Sequence, residues 1–570
     1  MTFKHFWLTG VSAACIFSSC VDDNYDLSDI DTTVRVNVND LTVPVNLDDI
    51  LLSSIIEEGD RIKVVNGEYA VTEDGKFESK EVEIPTFTVR ATSPKATEFN
   101  IVFIPAAIGL LDAGHFDINC PEQKFSFSAT EIPSEIVSID RIGGEIELRF
   151  DFSLKGINAV ARKIEFRDLE FQLPKGLNIT EANGGSYDAT TGILTMPEQT
   201  TSGEELSIVI KANEVDFKTL GAELDYDKHS VDISGNFYVR SGKISIKRED
   251  LIGGTTPTAL KLIISYNISD FTLSTFTGKI KYDITGVNIS DVDLSDLPDV
   301  LNQKGTDIRL ANPQIYLSVT NPLQKYKLTA NTGLTITSNN GDQHTPYSID
   351  ESYFTIGNGN ADGVYTFCLA PSNPTQKPED FKNAEFVKFS TLGNILSGDG
   401  LPQSLSFKLD NPCLPEQQVE NLVLGTGIGE ISGKYSFLAP IALSNGSKIV
   451  YSDKIDDWDT EDLEYMTITK LDVKATITSE LPMALDITAY PIDKDGNQIN
   501  NVEIVGAKLA ASSQPQEINI HITGEINKLA GIEFEAVATA GEDGRVLRPD
   551  MTIKVSKLRP TVSGYYEKEL

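Results

Sequence analysis

Alternation of apolar and polar residues is the feature that most restricts how this chain can fold. Within residues 145–155, every second residue is large and apolar: Ile146, Leu148, Phe150, Phe152 and Leu154. Successive side chains of a strand point to opposite faces, so this spacing predicts a strand with one buried face and one solvated face. The same period recurs at residues 231–239, 279–284, 314–319, 517–523 and 551–555. Sheets with one solvated face are typically antiparallel.

Turn-forming pairs separate these segments. Asn-Gly or Asp-Gly occurs between β-rich runs at residues 66–67, 74–75, 183–184, 340–341, 445–446, 495–496 and 543–544, and these residues accept the positive φ that tight hairpins need. Helical periodicity is restricted to four short candidates, at residues 47–56, 215–224, 295–301 and 525–530. The predicted fold class is therefore all-β, with tandem antiparallel β-sandwich domains of the immunoglobulin-like kind and a few short helices.

The first twenty residues indicate export from the cytoplasm. Lys4 and His5 form a short basic start, and an apolar core follows at residues 6–17, which is the pattern of a secretory signal. That core is about half of the ~20 residues that a membrane-spanning helix needs. It is therefore expected to direct export without spanning the bilayer.

The end of this core resembles the lipobox of bacterial lipoproteins, in which a cysteine becomes the acylated N-terminus of the mature chain. The matching residues are Phe17, Ser18, Ser19 and Cys20, with Phe17 in place of the usual Leu and Ser19 in place of Gly or Ala. An ordinary cleaved signal followed by a chance cysteine is the alternative. The resemblance implies lipidation of Cys20, and several acyl chains on one residue suffice for a stable anchor.

An acidic run follows at residues 21–26 and includes Asp22, Asp23 and Asp26. It resembles the export signal of Bacteroidetes lipoproteins that reach the outer face of the outer membrane. Acidic residues would also keep a tether solvated, which leaves the periplasmic face open. Together with the stretches at residues 22–56, 173–177 and 491–497, the run makes the chain similar to uncharacterised Bacteroidetes cell-surface lipoproteins. That resemblance implies an outer-membrane location and carries no catalytic residues.

Length and cysteine content suggest several domains without a disulfide framework. A chain of 570 residues exceeds the ~100–200 residues of one domain. We predict a signal peptide at 1–19, an acidic tether at 20–33, an N-terminal β-rich segment at 34–124, and β-sandwiches at 125–251, 252–396 and 397–570. Cys120, Cys368 and Cys413 show no CxxC spacing, so no zinc site is expected. A bridge between Cys368 and Cys413 stays open.

Charge argues against one class of partner. The chain has 48 Lys and Arg residues against 84 Asp and Glu residues, for a net charge of −36. Nucleic-acid phosphates need a cationic face, so no nucleic-acid partner is expected. An anionic membrane would also repel this body, so the N-terminal lipid anchor must supply the membrane attachment.

No motif for catalysis emerges. The histidines of the mature chain, His115, His229, His344 and His521, are far apart in sequence, and phosphate-loop, nucleophile-elbow and zinc-helix patterns are missing. Glycoside hydrolysis needs only two carboxylates, which 84 acidic residues could supply. We predict that the chain is not an enzyme and needs no cofactor.

Two acidic clusters and one tryptophan are weak candidates for binding. The first cluster contains Asp291, Asp293, Asp296 and Asp299; the second contains Asp453, Asp456, Asp457, Asp459, Glu461 and Asp462. Neither has the glycine that an EF-hand calcium loop requires, so solvated loops are favoured and no metal site is predicted. Trp458 lies within the second cluster and could stack on a sugar ring or fill the end of a sandwich.

The leading functional prediction is a lipid-anchored, surface-exposed, non-catalytic structural or binding protein of the bacterial outer membrane. Loops on a rigid scaffold would recognise a protein or glycan ligand. One alternative is a fimbrillin-like adhesin subunit that donates a strand to a neighbour, with Arg35 as a processing point. Another is a glycan-binding accessory lipoprotein of a nutrient importer, with Trp458 as a ligand-binding residue.

Overall fold

The computed structural model describes residues 33–43, 45, 49–107, 110–253, 260–295, 297–456, 463 and 465–569. The signal peptide, the tether with Cys20, and Trp458 lie outside these residues. Within them, strands dominate and the predicted all-β class is confirmed.

Ten strands occupy the described residues up to Lys155, and the last of them is the longest. They are β1 Thr33–Thr42, β2 Ile50–Leu51, β3 Ile62–Val65, β4 Glu68–Glu78, β5 Thr88–Thr92, β6 Thr97–Ile101, β7 Ile104–Pro105, β8 Asp112–Ile118, β9 Lys124–Ala129 and β10 Ile136–Lys155. The second group is β11 Ile164–Gln172, β12 Leu177–Glu181, β13 Ser186–Asp188, β14 Ile193–Thr195, β15 Gln199–Thr201, β16 Glu205–Asp216, β17 Val231–Asn236, β18 Tyr238–Lys247, β19 Leu260–Ile268, β20 Phe271–Thr272, β21 Thr275–Asp283, β22 Asn288–Ile289 and β23 Val292–Asp293.

The remaining strands complete the described chain. The third group is β24 Gln314–Thr320, β25 Ala330–Asn340, β26 Gln343–Ser348, β27 Phe354–Ile356, β28 Val364–Ala370, β29 Glu385–Lys388, β30 Ser404–Val423, β31 Ser432–Pro440 and β32 Ala442–Leu443. The last group is β33 Lys448–Ile455, β34 Met466–Ser479, β35 Ala484–Ile492, β36 Val502–Val505, β37 Ala507–Leu509, β38 Gln516–Ile526, β39 Gly531–Thr539, β40 Arg545–Val546 and β41 Thr552–Glu569.

Helices are single turns. The α-helices of the described residues are α1 Phe217–Leu220 and α2 Asp299–Asn302, and 3-10 turns occur at Leu52–Ser54, Ile157–Ala159, Arg248–Asp250, Pro322–Tyr326, Glu379–Phe381 and Ser390–Asn394. The Asp216 carboxylate accepts a hydrogen bond from Thr219 N at 2.9 Å, and Gly221 at φ +67° ends α1. In the described part of the chain, no helix combines the length and apolarity that crossing a bilayer demands.

Two of the predicted helices are corrected. Residues 525–530 hold the end of β38 and a loop, because Lys528 has φ +59° and Ala530 N is hydrogen-bonded to Ile492 O at 2.8 Å. Residues 49–56, the described end of the first candidate, contain only β2 and the turn Leu52–Ser54.

Five large sheets organise the strands. The long sheet runs β12-β16-β10-β21-β30-β25-β26, with β6, β19, β23 and β27 attached; the first sheet runs β13-β14-β11-β18-β8-β7, with β15. The middle sheet runs β22-β4-β31-β24-β28-β29, with β3; the terminal sheet runs β1-β41-β34-β38-β36, with β2; the cover sheet runs β33-β39-β35-β37. Two small sheets run β17-β9-β5-β20 and β32-β40.

These sheets pack in pairs around apolar cores. The five alternating residues predicted for residues 145–155 are all at most 1% exposed, so the buried face is confirmed. From β10 in the long sheet, Phe150 reaches the first sheet, where its ring lies 4.3 Å from the ring of Phe171. Phe407 of β30 stacks on Tyr435 of the middle sheet at 5.6 Å. The long sheet therefore takes part in two sandwiches, and the terminal and cover sheets form a third, the C-terminal sandwich.

Adjacent glycines mark the point where β10 passes from one sandwich to the other. The first half of β10 pairs with β21, and the second half pairs with β16 and β19. Between them the register shifts at Gly143 and Gly144. A Cβ at Gly144 would lie 2.8 Å from the carbonyl oxygen of Thr272, so a larger residue would push these backbones apart.

Sheet composition corrects the segment boundaries drawn from the sequence. Strand β4 of the N-terminal segment pairs with β31 of the last segment, β6 pairs with β19, and β21 pairs with β30. Each of these ladders crosses a predicted boundary. Period-two patterns report which face of a strand is buried, but they do not report its pairing partner, and so the sheets combine strands that are distant in the sequence.

The strand predicted at residues 231–239 is divided in two. Strand β17 belongs to a small sheet and β18 to the first sheet. Between them, Phe237 N donates a hydrogen bond to Gln123 O at 2.9 Å. The Phe237 ring is fully buried and lies 4.6 Å from that of Phe150. The alternation continues through the break because Phe237 remains a core residue.

Candidate interaction surfaces

The structure does not bring the four histidines together. His115 lies 3.9 Å from Asp117, His229 occupies a turn at φ +48°, and the His344 ring nitrogen lies 2.8 Å from Asn339 Oδ1. His521 pairs with Asp472 on the outer face of the terminal sheet. Each histidine therefore has its own local partners on a different strand or turn.

The three described cysteines are free thiols in separate environments. Cys368 is on β28 of the middle sheet and Cys413 is on β30 of the long sheet, so the bridge left open by the sequence is not formed. Burial raises the pKa of the Cys120 thiol to about 11, and burial also raises the pKa of Cys368 and of Cys413. Protonated thiols are poor nucleophiles and poor metal ligands.

Acidic clusters were the other weak candidates. In the first cluster, Asp293 accepts a hydrogen bond from Ser295 N at 2.9 Å and Asp299 begins α2; in the second, Asp453 accepts one from Tyr451 at 3.2 Å. Asp296, Asp457, Asp459, Glu461 and Asp462 lie outside the described residues, as does Trp458. Among the residues that the structure describes, no three His, Cys, Asp or Glu side chains converge as a metal site would require.

The most exposed apolar segment is the stretch at residues 101–111, which we call the apolar loop. It connects β6 to β8, includes the short strand β7, and contains no charged residue. Val102 is 63% exposed, Ile104 53%, Leu110 56% and Leu111 83%. With Ile252, at 40% exposure, they make up five of the fourteen exposed large apolar residues in the described chain. Exposed apolar residues that cluster in this way mark interaction sites.

Arg248 holds the described residues of the apolar loop on both sides of positions 108–109, which lie outside the described residues. Its guanidinium donates hydrogen bonds to three carbonyl oxygens of the loop, at 2.9 Å to Leu110, 3.2 Å to Ala106 and 3.0 Å to Ala107. Its backbone N donates to Leu111 O at 2.9 Å. The loop is therefore held to the 3-10 turn Arg248–Asp250, and four of its carbonyl groups are satisfied inside the protein.

A charged network supports the base of the apolar loop. Asp112, which follows Leu111, lies 2.9 Å from Arg167 Nη1, and Arg167 also bonds to the buried Glu165. Lys247 Nζ lies 2.6 Å from Glu165 Oε1. Burial alone would raise the pKa of Glu165, but the hydrogen bonds from Lys247 and Arg167 outweigh burial and hold that pKa below its usual value. The ion pairs of Glu165 therefore join β11 to β18, and the pair of Arg167 with Asp112 joins β11 to β8.

A second apolar surface lies inside the C-terminal sandwich. A cavity of about 100 Å³ separates the terminal sheet from the cover sheet, and its walls include Ile553, Val555, Leu558, Phe534 and Ala536. Tyr451 and Ile50 also line a neighbouring cavity of about 60 Å³. Strand β33 forms the edge of the cover sheet here. This cleft is large enough for one or two apolar side chains.

Another cavity is polar. It has a volume of about 540 Å³, and its lining includes Glu57, Glu58, Arg61, Asp299 and Gln303. Arg61 forms an ion pair with Glu73. Charges of both signs therefore line this groove.

A pH dependence is expected from Asp472, which is buried on the outer face of the terminal sheet. Burial alone would raise the pKa of Asp472, but hydrogen bonds from Lys470, at 2.6 Å, and from His521 outweigh it and lower that pKa. A lowered pKa stabilises the fold above the unfolded-state pKa of about 3.9, and this stabilisation is lost as the pH falls through the folded-state value.

We therefore expect Asp472→Asn to be less stable than the parent at pH 7, with the difference shrinking as the pH falls below about 4. Denaturant unfolding at a series of pH values measures this. Asp486→Asn is the matched control, because Asp486 is in an exposed pair with Lys508 at 3.1 Å and such pairs contribute about 0–1 kcal/mol. A stability difference that does not change with pH would contradict the expectation.

Comparisons with known proteins add little. No family model matches the chain, and no curated protein matches it. Among solved structures, a protein described as a candidate secreted protein of Parabacteroides distasonis is 16% identical, with a TM-score of 0.36, over 51% of this chain and 89% of that chain. The Cowpea mosaic virus top component is 8% identical, with a TM-score of 0.13, over 52% and 91%. Neither likeness is close enough to carry an argument about fold or function.

Sequence reasoning missed the apolar loop. The sequence did contain an indication of the loop, because residues 101–111 form the longest uncharged apolar run that we identify outside the signal peptide. Such a run is typical of a buried strand, and only the fold shows that Val102, Ile104, Leu110 and Leu111 are exposed while Ile101 and Phe103 are buried.

Proposed function

We propose that this chain is a non-catalytic binding protein of the bacterial cell envelope, anchored in the outer membrane by acylation of Cys20 and displayed on the cell surface. The observation that carries the binding role is the apolar loop, a set of exposed aliphatic side chains fixed by Arg248 on a rigid sandwich. Soluble monomers rarely leave such a patch uncovered, and loops on a rigid scaffold commonly carry recognition.

The position of the first described strand supports the anchored arrangement. The tether leads into β1, which is in the terminal sheet, whereas the apolar loop connects strands of the long and first sheets. The terminal sheet shares no strand with either of them. The attachment point and the recognition loop are therefore on different sandwiches of the same molecule.

Replacing Cys20 tests the anchor. In Cys20→Ala cells the chain is expected to lose acyl labelling and to move from the membrane fraction to the soluble fraction. Cys413→Ala is the matched control, since Cys413 is a half-buried thiol within β30, and this variant should stay in the membrane fraction. Protease added to intact cells should cleave the parent chain.

Two results would contradict the proposal. A parent chain whose mass shows an unmodified cysteine, or a mature N-terminus elsewhere, would remove the anchor. A chain that is protected in intact cells and cleaved only after the outer membrane is ruptured would place the protein on the periplasmic side.

A further inference from the structure

We infer that the apolar loop inserts into a lipid bilayer surface and so gives the chain a membrane contact separate from its N-terminal anchor. The inference deepens the proposed function by naming the partner of the loop. It does not depend on acylation of Cys20, and the test below uses a chain that cannot be acylated. The occupant we commit to is the interfacial region of a zwitterionic bilayer.

Side-chain chemistry is the first argument. The strongly exposed residues of the loop, Val102, Ile104, Leu110 and Leu111, are all aliphatic. Energetic centres of protein interfaces are instead enriched in Trp, Tyr and Arg, and none of these occurs at residues 101–111. Aliphatic side chains without hydrogen-bonding groups suit a fluid apolar medium that has no fixed shape to match.

The second and more specific argument is that backbone polar groups of the loop already have hydrogen-bond partners within the protein. A peptide group that enters hydrocarbon without a hydrogen-bond partner costs several kcal/mol. In this loop the carbonyl groups of Ala106, Ala107 and Leu110 accept hydrogen bonds from the Arg248 side chain, and Leu111 O accepts one from Arg248 N. Ala106 N donates to Ala113 O at 3.1 Å. Ala106, Ala107, Leu110 and Leu111 can therefore leave water with these backbone groups already paired.

Local charge is the third argument. The chain as a whole has a net charge of −36, which would keep most of its surface away from anionic lipid. Around the base of the loop, cations and acids balance, with five of each: Arg162, Arg167, Lys247, Arg248 and Lys261 against Glu98, Asp112, Glu165, Glu249 and Asp250. The charges at the base of the loop therefore do not oppose approach to a neutral lipid surface.

Vesicle flotation tests the inference with the mature chain from residue 20 carrying Cys20→Ala. This chain is expected to float with phosphatidylcholine vesicles. Leu110→Ser combined with Leu111→Ser should reduce the bound fraction at least about tenfold, because the apolar area removed from water on insertion is lost. Val505→Ser is the matched control, since Val505 is 56% exposed on the distant strand β36, and it should float like the parent.

A tryptophan reporter tests insertion directly. The mature chain has a single tryptophan, Trp458, so Trp458→Phe with Leu111→Trp places the only indole on the loop. Its emission should shift to shorter wavelength with vesicles and be quenched by brominated lipid. The same background with Val505→Trp should show neither change.

Several outcomes would overturn the inference. One is that the Cys20→Ala chain does not float with vesicles, and another is that the double serine variant floats as well as that chain does. A third is that the emission of the Leu111→Trp variant stays unchanged when vesicles are added. Sedimentation without lipid that shows an oligomer dissolved by the double serine variant would assign the loop to a second copy of the chain, seated for instance in the cleft of the C-terminal sandwich. A Cys20→Ala chain that does not float, together with an acylated parent chain that stays in the membrane fraction of cells, would refute this inference and leave the proposed anchoring standing.

Discussion

Replacing Phe150 by alanine is expected to lower the free energy of unfolding of its sandwich by about 3–5 kcal/mol. Phe150 is fully buried where the long sheet packs against the first sheet. Its ring centroid lies 4.3 Å from that of Phe171, 4.6 Å from that of Phe237 and 5.9 Å from that of Tyr266. The substitution removes contacts with three aromatic rings and leaves a cavity that strands on both sides cannot close.

Denaturant unfolding followed by tyrosine fluorescence or circular dichroism measures the change. Tyr353→Ala is the comparison, because Tyr353 is 53% exposed and an exposed substitution is expected to change stability by no more than about 0.5 kcal/mol. If both variants lost the same stability, the aromatic cluster would not be the centre of this core.

The second large effect is expected at Asn321, where alanine should cost about 3 kcal/mol. The buried Asn321 side chain donates to Leu328 O at 3.1 Å and to Gly357 O at 2.8 Å, and it accepts from Leu323 N at 3.1 Å. Alanine would remove the partner of these three backbone groups, two of them buried and one, at Gly357, half-buried. Removing one side of a buried hydrogen-bond set costs more than the set contributes when complete.

Asn411 provides the control for this prediction. It also precedes a proline, at Pro412, but its side chain is exposed and its φ is +46°. Asn411→Ala is expected to cost at most about 1 kcal/mol, through the left-handed backbone alone. Equal losses at the two positions, measured by thermal or denaturant unfolding, would show that the Asn321 network adds nothing.

Local periodicity predicted the strands well because burial acts on each strand separately. Phe150 and Phe152 alternate with polar residues since one face of β10 meets the first sheet, and this information lies within a few residues of sequence. Pairing depends on residues that are far apart. Nothing near β4 indicates that it joins β31, more than 350 residues later, and so sequential domain boundaries could not match the sheets.

The difference between local patterns and long-range packing also explains which candidate sites the sequence revealed and which it did not. Cys20 carries its signal in adjacent residues, so a sequence is enough to nominate it. The apolar loop depends on exposure, which follows from the tertiary fold, and on Arg248, which lies 137 or more positions from the carbonyl groups it binds. Residues 101–111 alone resemble a core strand, and only the packing of the surrounding sheets leaves Val102, Ile104, Leu110 and Leu111 exposed.

Pairing between the first and last strands has a practical consequence for experiments on living cells. Because Thr33 is opposite Glu569 in the ladder of β1 and β41, a reporter fused after residue 570 would emerge beside the start of β1. Such a fusion would crowd this edge of the terminal sheet, whereas an epitope inserted at the Asn340-Gly341 hairpin, between β25 and β26 of the long sheet, would leave β1 and β41 untouched. Labelling schemes for this protein should therefore use internal hairpins.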